Sequence, residues 1–206
     1  AENSKRTMRV IAFRSGGRDD ELDAIYFDSN GEKVALPISI GSLSTSIPMP
    51  KGKAMNLYQQ IEAPDADDSE KNTTYRLVGT VPMVSGSKAL VLLVVPKDLA
   101  KEKIHGRCFK DSESLHPKQT ARVFNMSKKV IGIRAGDETL KLAAEKSGTI
   151  PWKAVAFNSV AYKVAFEGKK SGTWHIFESS EATAHPNTRT FVFVSGSMSE
   201  KKQTIT

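Results

Sequence analysis

The sequence predicts an all-β chain: two tandem immunoglobulin-like antiparallel β-sandwich domains with little helix. Three observations carry that prediction. Short stretches alternate apolar with polar residues, clusters of Gly, Pro, Asn, Asp and Ser separate them, and motifs of the first half return in the same order in the second. Alternation at period two marks a strand with one buried face. Many short strands with frequent turns mark a sandwich or barrel.

The clearest element is "YFDSNGEKVALPISIG", residues 26–41. Asn30-Gly31 supplies the two positive-φ residues that a type I′ hairpin turn needs. Beyond it Val34, Leu36, Ile38 and Ile40 point one way, and Lys33, Ala35, Pro37 and Ser39 the other, which predicts a half-buried strand. Pro37 has no N–H, so the strand belongs at a sheet edge or carries a bulge there. Val160, Tyr162, Val164 and Phe166 repeat the pattern, and shorter strands are expected at 9–13, 24–27, 55–58, 75–81, 122–126, 130–134, 174–177 and 190–194. Segment 137–148, "DETLKLAAEKSG", reads by itself as a short capped helix, while Leu140 and Leu142 also fit a strand leaving a turn.

The internal repeat breaks that tie. "TMRVIAF" at 7–13 aligns with "TARVFNM" at 120–126, and the hairpin at 25–36 with 132–142. "STSIP" at 44–48 aligns with "SGTIP" at 147–151, 54–60 with 161–168, and 89–96 with 189–196. A duplication explains the shared order, and changes in loop length explain the drifting offset. On that reading 137–148 is strand and loop. The join falls in the charged stretch 96–111, which sets the domains at 1–103 and 104–206, each close to the ~100 residues of a sandwich.

Composition excludes several classes. Among 206 residues, 39% are hydrophobic and 26% charged, as in a globular protein. No run approaches the ~18 apolar residues of a membrane-spanning helix, so the chain is not expected to be membrane-spanning. The net charge of +7 would suit nucleic acid, but the cations come in small scattered groups beside turns, without a recognition motif or an array of base-stacking aromatics. No nucleic-acid partner is expected. One cysteine, Cys108, precludes an intrachain disulfide and leaves the compartment open. The opening "AENSKR" looks like the stump left behind a cleaved signal peptide, and an arbitrary start would look the same.

Two stretches carry a family resemblance. An Arg9-Val10 strand, a hairpin at 24–31, a small-residue and Ser patch at 41–46 and a Pro50-Lys51-Gly52 turn follow one another in the first half. The second half keeps Arg122-Val123, a hairpin around Gly136 and the 147–151 patch, and lacks the P-x-G turn before Tyr162. This order resembles a domain of unknown function found in secreted and cell-envelope bacterial proteins. The resemblance spans most of 7–95 loosely and 120–194 more loosely. It implies an exported sandwich and supplies no catalytic residue.

Candidate chemistry is sparse. His105, Cys108 and His116 are the nearest approach to a metal set, short of the four tightly paired ligands of a structural zinc site; read plainly, they are linker residues, so no metal or cofactor is expected. Asp65, Asp67, Asp68 and Glu70 cluster in "PDADDSE" without the spacing or glycine of an EF-hand, which makes them a solvated loop tip or a cation loop. No nucleophile elbow, phosphate loop or dinucleotide fingerprint occurs, and "SGSK" at 85–88 reads as a hairpin loop. The chain is therefore not expected to be an enzyme, with a hydrolase built from distant residues as one alternative. "ALVLLVV" at 89–95 is apolar on both parities, so Leu90, Leu92 and Val94 should meet a protein partner, a second copy or the other domain. Trp174 shares parity with Ile176 and should face the core. Trp152, after Pro151, is the better surface residue for stacking on a sugar, which makes a glycan the other candidate partner. The function expected is a non-catalytic interaction, adhesion or structural module, secreted, periplasmic or on the cell surface.

Overall fold

The structure, a computed structural model, describes residues 6–14, 22–62, 73–154, 158–169 and 172–195. Every regular element among them is a strand. The chain divides into two compact units, Ala1–Ser112 and Glu113–Thr206.

The first unit contains β1 (Thr7–Arg14), β2 (Ile25–Ser29), β3 (Glu32–Ala35), β4 (Ile47–Pro48), β5 (Ala54–Glu62), β6 (Thr73–Pro82), β7 (Lys88–Val95) and β8 (His105–Lys110). They form two sheets, ordered β4-β1-β7-β8 and β3-β2-β5-β6. Between them lies a core built from alternate residues: Met8, Val10 and Ala12 of β1, Phe27 of β2, Leu57 of β5, and Val91 and Leu93 of β7. Each large apolar side chain withdrawn in this way contributes about 1.5–3 kcal/mol. One pair in the otherwise antiparallel unit is parallel, β1 with β7, in register from Thr7↔Lys88 to Arg14↔Val95. Parallel neighbours need a long crossover, and here the chain supplies it by building the other sheet in between.

The hairpin forms where the sequence places it. Asn30 and Gly31 take φ of 54° and 92°, and β2 and β3 pair from Tyr26↔Ala35 to Ser29↔Glu32. The returning strand is shorter than the alternation implied. It stops at Ala35, before Pro37; Leu36 turns into the core while Val34 stays exposed. The β6–β7 connection also differs from expectation. Its strands belong to different sheets, so 85–88 crosses the sandwich and is no hairpin loop.

The second unit repeats the plan with β9 (Thr120–Asn125), β10 (Ile131–Ala135), β11 (Glu138–Leu142), β12 (Ser147–Pro151), β13 (Ser159–Glu167), β14 (Trp174–Thr183) and β15 (Thr190–Val194). Its sheets run β12-β9-β15 and β11-β10-β13-β14, again with the first and last strands, β9 and β15, parallel. Residues 137–148 are strand and turn. The registers match position by position: Phe27 pairs with Leu57 as Ile133 pairs with Val164. A bulge interrupts both long hairpins at the same place, between Leu57 and Tyr58 and between Val164 and Ala165. The units divide after Ser112 and not near residue 104, because 105–110 is β8, hydrogen-bonded to β7 from Ala89↔Lys110 to Val94↔His105. The charge of 96–111 concealed that strand.

Candidate functional site

The residues expected to meet a ligand or partner are mostly buried. Trp152 is only 2% exposed; its ring centroid lies 5.5 Å from that of Tyr162, and its indole N–H is buried without a hydrogen-bond partner. It is a core residue of the second unit and offers no stacking shelf. Pro151 ends β12, and the chain then turns inward instead of out to solvent. Leu90 and Leu92 are buried and Val94 half-buried, so these three form no open apolar face. β7 is an inner strand, flanked by β1 and β8.

Trp174 corrects the sequence reading in the other direction: it is 38% exposed. Parity rightly placed it on the same side as Ile176, but that side is the outer one. His175 points inward instead and stacks on Phe166, with centroids 5.3 Å apart. The outer edge strand β14 thus presents Trp174, Ile176 at 39% and Phe177 at 37%. Phe177 is the extra residue of the bulge, set between the two positions that pair with Val164 and Ala165. The indole of Trp174 lies over Gly132, where a Cβ would come within 3.1 Å of the ring, and the Lys141 ammonium is 5.2 Å from the ring centroid.

The first unit has a counterpart. By the shared bulge, Tyr75 and Leu77 of β6 occupy the positions of Trp174 and Ile176. Leu77 is 44% exposed, and Tyr75 meets Tyr26 edge-on at 5.3 Å, as Trp174 meets Gly132. On the same outer face the Tyr58 hydroxyl donates to Asp28 Oδ2 at 2.7 Å. Lys33 bonds to Asp28 and covers the Tyr58 ring at 3.9 Å. The Lys33 and Tyr58 hydrogen bonds hold the Asp28 carboxyl below the ordinary carboxylate range, and the Asp28 bond raises Lys33. Sequence reading placed strands at 75–81 and 174–177 but missed that their apolar residues face outward, although "TYRL" and "WHIF" each set an aromatic and an aliphatic residue at i and i+2.

The remaining candidates do not converge. His105 and Cys108 sit three apart on β8, which sends them to opposite faces of a strand. Burial raises the Cys108 thiol. His116 is fully buried, with Nε2 3.2 Å from the Thr120 carbonyl oxygen. Among the described residues, no three His, Cys, Asp or Glu side chains gather as metal ligands. Asp65, Asp67, Asp68 and Glu70 lie outside the described residues. Among the described residues, no helix is long and apolar enough to cross a membrane.

No family model and no curated protein matches the chain. Among solved structures it is similar to a DUF3823 family protein from Bacteroides ovatus ATCC 8483, at 16% identity over 88% of this chain and 100% of that one, with a TM-score of 0.23. A likeness of that size, to an uncharacterised family, carries no argument about function.

Proposed function

We propose that this chain is a non-catalytic interaction module of the bacterial envelope, in which rigid β-sandwich units hold outward-facing edge strands against a protein partner. One observation carries the reading: both units set a large apolar side chain outward at the same position of the same edge strand, Leu77 on β6 and Ile176 on β14. Large apolar side chains exposed at matching outer positions mark a contact surface. Export and the envelope setting are supported by the ordered turn and strand motifs of 7–95 and 120–194.

The first partner to test is a second copy of the chain. In sedimentation velocity over a wide concentration range, the wild type is expected to associate reversibly and Ile176→Lys to stay monomeric. A photo-crosslinking residue at position 176, in source cells, then reports other partners. Monomer at every concentration together with no envelope protein captured overturns the proposal. A glycan reading, no longer served by the buried Trp152, would rest on the exposed Trp174 ring above Gly132. Saccharide-dependent quenching of its fluorescence would favour that reading.

A further inference from the structure

At one end of the first unit, a cleft of about 700 Å³ opens where the last residues of β1 and β7 approach Gln59 of β5 and Arg76 of β6. Its size is that of a small-molecule site. Leu22, Val95, Pro96 and Leu99 give it apolar lining. Among the described residues, the cations Arg14, Arg76, Lys97 and Lys101 and the carboxylates Asp23, Asp98 and Glu102 line it.

Two of those carboxylates already have partners within the cleft wall. Gln59 Nε2 donates to Asp23 Oδ2 at 3.0 Å. Lys101 Nζ lies 3.0 Å from Asp98 Oδ2, while the Ala100 backbone N–H donates to Asp98 Oδ1 at 2.9 Å. Arg76 differs. Its Nη2 donates to Gln59 Oε1 at 2.6 Å, but its Nε is buried with no hydrogen-bond partner. A buried guanidinium N–H left in this state is costly, and an unseen ligand or ion is one of the few explanations for such an orphan.

The second unit shows that the fold does not demand this arrangement. Gln59 and Arg76 are a cross-strand pair, and the pair at the same place in the second unit is Phe166 and His175, whose rings stack, with the Lys129 ammonium over Phe166 at 4.1 Å. The first unit instead keeps a charged network with an unmet donor at the wall of a cavity.

We propose that this cleft binds a carboxylate-bearing small molecule, with the carboxylate on Arg76 and the carbon body against Leu22, Val95 and Leu99. Lys97 adds charge around the head group. An apolar lining favours a carbon body over inorganic phosphate. Two sources share this chemistry, a free aliphatic acid and a uronate residue of an acidic glycan. The inference is independent of the edge-strand proposal and stands or falls separately.

The test is an amide-resolved NMR titration of the full chain with hexanoate, glucuronate, neutral glucose and inorganic phosphate. Either carboxylate should shift the amides of residues 22–23, 59, 76 and 95–102, and added salt should weaken the effect. Tighter hexanoate binding assigns a free acid; tighter glucuronate binding assigns a glycan residue. Arg76→Gln should weaken binding at least ~10-fold, since a charge-assisted hydrogen bond to a carboxylate is lost. Lys97→Gln, at an exposed position, should weaken it roughly threefold without affecting the fold, and carries the test if Arg76→Gln does not fold. The proposal is overturned by silence toward both carboxylates, by equal shifts with glucose, by tighter binding of phosphate, or by variants that bind like the wild type.

Discussion

In the first unit the Ile104 N–H donates to the Val78 carbonyl oxygen at 2.7 Å, and a Cβ on Gly79 would stand 2.8 Å from the Ile104 carbonyl oxygen. In the second unit the same two positions, set by the shared bulge, hold Phe177 and Glu178, both exposed. The contrast follows from β8. That strand pairs with β7 while Ile104, just before it, bridges to β6, so it joins the margins of both sheets. Val78 is consequently buried, Gly79 has no room for a side chain, and Gly106 approaches Val81 and Leu93 too closely for a Cβ. Among the described residues, no strand takes that place beside β15, and larger residues stand along β14. Two copies of one strand order have thus diverged where their neighbours differ.

Exchanging the residues at this seam should produce the largest effect. Gly79→Glu forces a charge and a long side chain against the Ile104 backbone, and should destabilise the first unit by about 3–5 kcal/mol, the scale of an unpaired buried charge. Glu178→Gly on the open margin should change the second unit by no more than about 1 kcal/mol, the cost of glycine in a strand. Both tryptophans lie in the second unit, so their fluorescence reports it alone. Urea unfolding of Gly79→Glu should therefore show an early circular-dichroism transition with the fluorescence midpoint unmoved. If Gly79→Glu unfolds like the wild type, the closed seam is not what excludes a side chain there.

A second exchange concerns how each unit anchors the end of its first strand. Asn125 of β9 matches Ala12 of β1, since Ala121 pairs with Ile150 as Met8 pairs with Ile47. Asn125 is buried, and its Nδ2 donates to the carbonyl oxygens of Lys129 at 2.7 Å, Ala143 at 2.9 Å and Leu142 at 3.3 Å. Its Oδ1 accepts from the Ser127 N–H at 3.0 Å and hydroxyl at 2.7 Å. In the first unit the main chain does this work, with the Gly41 N–H donating to the Ala12 carbonyl oxygen at 2.8 Å. Asn125→Ala should cost roughly 2–4 kcal/mol, because one buried and two part-buried carbonyls lose their donor and the buried Ser127 N–H loses its acceptor. The loss should appear in tryptophan fluorescence, and a change below about 1 kcal/mol would mean that the network is dispensable.

These paired positions also show what the sequence could disclose. Strand positions and the duplication were legible because they depend on period-two alternation and on turn residues such as Asn30-Gly31, which are local. The side on which an edge strand keeps its apolar residues was not legible. Trp174 and Ile176 share a parity, but whether that parity is the core depends on what covers β14, and no local pattern records it. Trp152 failed for the same reason: following a proline says nothing about whether the next turn of chain runs inward. β8 escaped notice because "HGRCFK" lacks alternation, its role being to join two sheet margins through small residues. The Arg76 cleft was invisible because Gln59 and Arg76 become neighbours only by crossing a bulged hairpin.

The smallest effect distinguishes the two short hairpins. Asp28 on β2 corresponds to Arg134 on β10: Asp28 faces Lys33 across its hairpin, and Arg134 bends back to donate from Nε to the Gly136 carbonyl oxygen at 3.0 Å. Hydrogen bonds from Lys33 and Tyr58 lower the Asp28 carboxyl in the folded chain. A carboxyl with a lowered folded pKa binds its proton more readily when unfolded, so its contribution is present above the unfolded value of about 3.9 and fades as pH falls through the folded one. Asp28→Asn should therefore lower Tm slightly at pH 7, by less than about 2 °C for so exposed a pair, and the gap to the wild type should close below about pH 4. Arg134→Gln should change Tm little at either pH, because its ion pair with Asp137, at 3.9 Å, is long and exposed. A gap for Asp28→Asn that stays constant or widens on acidification would mean that Asp28 acts through its shape and not its charge, and the two hairpins would then differ only in residue type.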